Sequence, residues 1–423
     1  MNLAYLLSPS MAPVQKQLVD LLEARDFLAL ESVSKDVRAA IQHGTSSVYN
    51  IDLRLKKFFQ DPKAFRRMQA QTGVLIGGDF ARAFFNTTTA SVNKLHVYCG
   101  YPGCSKYGSG VAALKNYLTA DGWHDSGKAV PTVRWWEEDY WTPFAIYEKT
   151  VKGELVSVNI YHHLVCPLAP IMETAPSTAS LNFVTASKAY ALVPQETFVE
   201  KNAYVTQNHE AETYGTLCRS HLNELAEQGM TTFGLHWDDE TGDDDSIVLK
   251  RLRRIGDKHT WTIPLDTSDI DIDESYSAAI EQSTFRIQKF EGSIESRGRV
   301  DRYKVNLCYA FCHAIFKHAY ITVTHTPSGC EYIDKIKALS EKMDGLTMLE
   351  LSKLPDQDRS NDINISLLED VHDGIGDFDW KANPVPRTWT YFDQKLVKQL
   401  DKLWKEHERE QAKKVAYKNN AHN

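Results

Sequence analysis

The sequence predicts an α/β protein, more strictly α+β, and three observations carry that expectation. The first is Thr72–Cys99, where the apolar run Val74-Leu75-Ile76 is broken by Gly77-Gly78. An apolar segment to Phe84-Phe85 follows, then a second run with Leu95, Val97 and Cys99 alternating. A short apolar run before glycine reads as a buried strand, and strict alternation as a strand with two unlike faces. The second is F-A-I-Y-E-K-T-V, then Lys152-Gly153, then E-L-V-S-V-N-I-Y-H-H-L, over Phe144–Leu164, which suits a β-hairpin. The third is a pair of helical patterns at the two ends: Leu18, Val19, Leu21 and Leu22 near the start, and Phe392, Leu396, Leu400 and Trp404 near the end.

At 423 residues the chain has room for roughly two to three domains. Its 48 basic against 56 acidic side chains leave a net charge of −8, which argues against a large nucleic-acid footprint. The 7 cysteines (Cys99, Cys104, Cys166, Cys218, Cys308, Cys312, Cys330) are odd in number and scattered, which predicts reduced thiols in a cytoplasmic or nuclear setting. The start, M-N-L-A-Y-L-L-S-P-S, lacks a basic region and a long apolar run, so no signal peptide is expected. No apolar run reaches the ~18 residues that span a bilayer, and no membrane partner is expected.

Taken in order, residues 14–42 read as helices, with Asp26 as a cap and Phe27, Leu28, Leu30, Val33 and Ile41 on the apolar side. Asp61-Pro62 is a helix start, Phe65, Met68 and Thr72 share a face, and Gly73 is the stop. Strand, double glycine, helix and strand form one way to hold a phosphate: backbone N–H groups approach the ligand and the helix N-terminus faces the anion. A tight turn explains the same glycines. Gly100–Gly110 reads as a loop, and a helix bearing Val111, Leu114 and Leu118 ends at Gly122 and lets the chain cross back to the sheet. A further helix is expected over Thr178–Leu192, an exposed edge strand over Asp269–Asp273, and a buried helix running into a strand over residues 301–326. Residues 331–354 read as helix, 355–388 as a long loop and Thr390–Lys414 as an amphipathic helix. The acidic stretch Asp238–Asp245 and the basic residues Lys250–Arg254 read as solvated surface.

Other candidate sites read as structure. His96, Cys99 and Cys104 lack a fourth zinc ligand, and Cys99 should face away from His96 on a strand. Cys308 and Cys312 read as packed thiols, and W-W-E-E-D-Y-W (135–141) as half-buried packing. No G-x-S-x-G elbow supports a Ser/His hydrolase.

Two stretches carry a family resemblance. L-V-D-L-L-E-A-R-D-F-L-A-L-E-S-V-S-K-D-V-R-A-A-I resembles the second half of an F-box, which implies docking to the adaptor subunit of a cullin-type ubiquitin ligase. The docking face would comprise Leu18, Leu21, Leu22, Phe27, Leu28, Leu30 and Val33. The strand, Gly77-Gly78 turn and second strand resemble the start of the nucleotidyltransferase superfamily, in which that second strand reads Asp-apolar-Asp and chelates metal. Here Lys94 and His96 stand at those positions, and the positions for a third carboxylate are Ser157, Asn159 and Tyr161. Together with S-L-N-F-V-T-A-S-K-A-Y-A-L-V-P-Q-E-T-F and L-R-L-K-K-F-F-Q-D-P-K-A-F, these features resemble an uncharacterised filamentous-fungal family that joins an F-box-like start to a nucleotidyltransferase-like core.

The resemblance implies a nucleotidyltransferase-like mixed sheet with flanking helices. It divides the chain into an F-box-like segment (1–45), a core (46–205), a variable charged region (206–300) and a mostly helical C-terminal part (301–423). The function it implies is a non-catalytic pseudo-nucleotidyltransferase acting as a binding or adaptor protein. Its degenerate nucleotide pocket would be Gly77, Gly78, Asp79, Lys94 and His96, with no catalytic residue and no metal site. No cofactor is expected beyond a nucleotide, and Lys94 would repel magnesium. The alternatives are an active nucleotidyltransferase with atypical metal ligands, and a metal-free nucleotide binder using Lys94 and His96.

Overall fold

The helices expected near the start are present: α1 (Leu3–Leu6), α2 (Ala12–Asp20), α3 (Ala24–Val33) and α4 (Lys35–Gly44). The structure is a computed structural model that describes residues 3–7, 9–44, 48–87, 92–100, 110–128, 143–163, 166–206, 212–234, 251–294, 298–306, 309–311, 315–323, 331–354 and 388–421. Asp26 does not occupy the capping position assigned to it. Glu23 precedes α3, and Asp26 accepts the Glu23 backbone N–H at 2.9 Å from inside the first turn, completing a capping box. After α5 (Ile51–Leu55), α6 (Pro62–Thr72) starts as expected: Asp61 accepts from the Ala64 N–H at 3.0 Å, Pro62 fills the first position, and Gly73 closes the helix at φ +67°.

The central sheet then begins with β1 (Leu75–Gly77), α7 (Gly78–Phe85), β2 (Lys94–Gly100), α8 (Gly110–Ala120), β3 (His124–Asp125), β4 (Ala145–Val151) and β5 (Glu154–His163). The β4–β5 hairpin turns on two residues, Lys152 (φ 51°) and Gly153 (φ 85°), with Val151 opposite Glu154. Positive φ at both positions is what a tight hairpin turn needs to match the strand twist. β2 and β5 lie parallel, and the crossover between them runs through α8.

Thr178–Leu192 is not the expected helix. After α9 (Leu168–Glu173), the chain forms β6 (Asn182–Val184) and β7 (Lys188–Ala191), an antiparallel pair. Thr185 stabilises the turn between them: its hydroxyl accepts the Lys188 N–H at 2.9 Å. Phe183 and Tyr190 stack across the hairpin at 4.9 Å. β-strand pairing overrides a helical period that such a short stretch satisfied only in part.

Next come β8 (Asn202–Tyr204), α10 (Glu212–Glu227), β9 (Thr231–Phe233), β10 (Arg253–Arg254), β11 (Trp261–Pro264) and α11 (Glu274–Gln282). Asp269–Asp273 is no edge strand: Asp269 sits at φ 69°, and Asp273 caps α11 by accepting the Ser275 N–H. Residues 301–323 contain no helix among the described residues. Instead β12 (Thr284–Ile294) pairs with β13 (Gly298–Asn306), and β14 (Tyr309–Phe311) with β15 (Tyr320–Thr322). An apolar run alone does not distinguish a buried helix from buried strands. The chain ends with α12 (Glu331–Leu351) and α13 (Asp393–Ala421), which buries Leu396, Leu400 and Trp404 as their spacing predicts.

Eight strands form one mixed sheet in the order β11-β7-β6-β1-β2-β5-β4-β3, antiparallel at every pairing except β2–β5. Side-chain alternation assigns one core to each face. Ile76, Leu95, Val97, Val184 and Ala189 pack with Phe65, Phe84, Phe85 and Leu114 on one side. Leu75, Tyr98, Phe183 and Tyr190 pack with Leu168, Ile255, Phe285 and Tyr303 on the other. A third cluster joins Ile315, Phe316 and Tyr320 to α12 and α13. Among the described residues no helix is long and apolar enough to cross a membrane.

Glu173, at the end of α9, supplies a pH-dependent contribution to stability. Burial pushes its carboxyl up to about 7, while Lys304 on β13 pulls it partly back. The folded value lies above the ordinary 4.5, so the folded chain holds an extra proton between 4.5 and 7, and stability falls as pH rises through that window. Glu173→Gln is expected to raise Tm at about pH 8, where the buried charge is most costly, with the gain vanishing near pH 4. Calorimetry at both pH values checks this; an equal gain at both would remove the carboxyl's ionisation as the cause.

Candidate functional site

The expected pocket residues do converge. β1 and β2 pair with Gly77 opposite His96. Gly77 extends into the start of α7, and Gly78 takes φ +67°. A Cβ on Gly78 would lie 3.1 Å from His96 Cγ, and one on Gly77 would lie 2.9 Å from the Tyr98 ring. The two glycines therefore let α7 begin directly against β2. Along β2, Lys94, His96 and Tyr98 share one face, and Leu95, Val97 and Cys99 are buried on the other. Cys99 thus faces away from His96, as the strand period requires. Cys99, Cys166 and Cys218 are free thiols. Cys104, Cys308, Cys312, Cys330, residues 135–141 and the Asp238–Asp245 stretch lie outside the described residues.

The parallel β2–β5 register places Lys94 beside Ser157, His96 beside Asn159 and Tyr98 beside Tyr161. The Tyr161 ring stacks on both Tyr98 (4.8 Å) and His96 (5.5 Å). Burial lowers the His96 pKa, Asp79 opposes that shift, and Lys94 adds to it. Burial thus disfavours a charged His96 ring, while Lys94 on the same face is exposed. Burial also pushes the Tyr161 hydroxyl up to about 12. The buried Asn159 Oδ1 has no hydrogen-bond partner.

The structure adds residues that the sequence did not single out. Arg82, one turn along α7 from Asp79, is nearly buried and joins two carboxylates: its Nη2 donates to Asp79 Oδ1 at 3.0 Å and to Glu224 Oε2 at 3.3 Å. Glu224 lies on α10 with His221, three residues apart and so on one helical face. Asp79, His221 and Glu224 each present a possible ligand atom, all within 4.8 Å of one another. His221 is oriented from behind, with Nε2 2.8 Å from Ser177 Oγ and 3.4 Å from Ser180 Oγ.

The electrostatics of this cluster follow from its crowding. Burial, then the Asp79 charge, raises the Glu224 pKa, and Arg82 and Lys94 oppose that rise. Burial, followed by Arg82, lowers His221 to about 4, against a smaller opposing effect of Asp79. At neutral pH the His221 imidazole is therefore neutral, beside Asp79 and Glu224, which share the Arg82 guanidinium. Ser177 is fully buried, so its contact with His221 positions the ring and does not create an accessible nucleophile. The only signal in the sequence was the His-x-x-Glu spacing, with nothing to connect it to Asp79 more than 140 residues earlier.

The F-box-like residues are divided between core and surface. Phe27 is fully buried, Leu22, Leu28 and Leu30 pack against the main core, and Leu18 is half-buried. Leu21 is 81% exposed and Val33 62% exposed, so only these two of the seven remain open to a partner.

Fold and site together define a mixed α/β protein with a polar cluster where a double-glycine turn meets a parallel strand pair. Comparison with known proteins found no matching family model, no matching curated protein and no matching solved structure.

Proposed function

We propose that the chain is a binding or adaptor protein built on a degenerate nucleotidyltransferase-like core, which does not transfer nucleotides through the ancestral carboxylate positions. One observation carries this reading. Positions 94, 96, 157, 159 and 161 lie side by side on two paired strands, and none of them is a carboxylate. The double-glycine turn, the start of α7 and the Lys94 ammonium remain suited to a phosphate-bearing ligand. The exposed Leu21 and Val33 support a protein partner for the N-terminal helices, a ubiquitin-ligase adaptor being the one their resemblance implies.

One observation favours a second reading, an enzyme with atypical metal ligands: Asp79 and Glu224 converge beside Gly78. A thermal-shift titration with nucleoside triphosphates separates the two, because a ligand well above its Kd raises Tm by mass action. It would be run with and without magnesium or manganese, on the native chain and on Lys94→Asp/His96→Asp. A metal-independent rise in the native chain, turning metal-dependent in the double variant, is expected. A native shift that appears only with metal would transfer support to the enzyme. No shift in either chain would remove the nucleotide from the proposal.

A further inference from the structure

We propose that Asp79, His221 and Glu224 form a site for one divalent first-row transition ion, with manganese and zinc as the fitting class. The proposal does not depend on a nucleotidyltransferase ancestry, since none of the three residues occupies the carboxylate positions of that resemblance. The geometry is close to a coordination sphere. Ligand atoms around an ion at ~2.1 Å sit about 3.4 Å apart in a tetrahedron. The three here lie within 4.8 Å of one another, so closure needs movements on the order of 1 Å. The carboxylates can supply it: the side chains of Asp79 and Glu224 are 44% and 43% exposed, which also leaves an approach from solvent. His221 is the fixed point: Ser177 and Ser180 both hold its Nε2, so the ring would ligate through Nδ1, oriented from its other nitrogen.

Charge sets what the ion competes with, and ligand type indicates its kind. Asp79 and Glu224 face two nearby cations, Arg82 bonded to both and Lys94 acting on Glu224 from β2, so an ion would have to compete with them for the carboxylates. An imidazole with two carboxylates suits zinc or manganese better than magnesium or calcium, which take oxygen ligands. Arg82 supplies an independent observation. Its side chain is 6% exposed, and its Nη1 is buried without a hydrogen-bond partner. That nitrogen shares the rigid plane of the Nη2 that holds both carboxylates. An ion-bound water or other oxygen ligand would provide the acceptor it lacks.

The test uses manganese chloride and zinc chloride alone, titrated calorimetrically into the chelator-treated full chain with no nucleotide present. One ion is expected per chain, with Glu224→Gln and Asp79→Asn each weakening binding by on the order of tenfold or more. The exposed Asp269→Asn should bind as the native chain does. Cobalt absorption in the visible range provides a second readout, in which intense bands of low coordination should vanish in Glu224→Gln while its circular dichroism stays native. Absence of binding at millimolar metal, or affinities unchanged in both carboxylate variants, would overturn the site. Neither result would bear on nucleotide binding at Gly77, Gly78 and Lys94.

Discussion

Asp257→Ala is expected to destabilise the chain by about 3–5 kcal/mol, the usual cost of leaving a buried charge without its partner. Arg253 is 1% exposed, and its guanidinium donates from Nη2 to Asp257 Oδ1 at 2.9 Å and from Nε to Oδ2. It also donates to the Leu192 carbonyl at 3.1 Å and lies 5.3 Å from the Phe285 ring centroid. Asp257 in turn accepts the His259 N–H at 2.9 Å. This clasp ties β10, which pairs with β12, to the residue following β7 in the eight-stranded sheet. Removing the carboxylate would leave the guanidinium buried and untie the turn that holds it. Urea denaturation measures the loss. Asp257→Asn keeps one acceptor oxygen without the charge and should lose less than the alanine variant. A loss below about 1 kcal/mol in Asp257→Ala would mean that water reaches Arg253 and that the pair is not a buried one.

The second large effect is expected at Gly78→Val, at about 2–4 kcal/mol. A β-branched residue at φ +67° is strained by roughly 1–3 kcal/mol, and its Cβ would press on His96 Cγ at 3.1 Å. Relief requires α7 to move away from β2, which would displace Asp79 and Arg82 from the cluster they form with α10. Gly78→Ala should fall between the native chain and the valine variant, since it carries the backbone strain without the branch. Denaturation curves of the three chains measure the series. Equal stability in all three would show that the backbone leaves the left-handed region at no cost and that the glycine is not required there.

The local signals that proved reliable share a physical reason. Asp61-Pro62 and Gly73 bound α6 because capping and a left-handed stop are satisfied within a few residues. Lys152-Gly153 turns the β4–β5 hairpin because two residues fix its register. Leu396, Leu400 and Trp404 are buried because one face of a helix repeats every third or fourth residue. That Gly77, Gly78 and Asp79 lie beside Lys94 and His96 was legible because a single strand-turn-helix-strand unit carries all five.

What the sequence determined by itself was therefore the mixed α/β class, the double-glycine unit and the helices at both ends. Tertiary structure decided the rest. It made strands of residues 182–184, 188–191, 298–306, 309–311 and 320–322, where apolar content without a strict period left helix and strand close in energy. It buried Phe27 and left Leu21 and Val33 exposed, which a shared helical period could not distinguish. It also set His221 and Glu224 on α10 against Asp79 and Arg82 on α7. No local interaction encodes that contact, because Arg82 and Glu224 lie 142 residues apart in the sequence. The polar cluster is a property of the folded chain, arising where long-range packing brings together charges that the sequence keeps far apart.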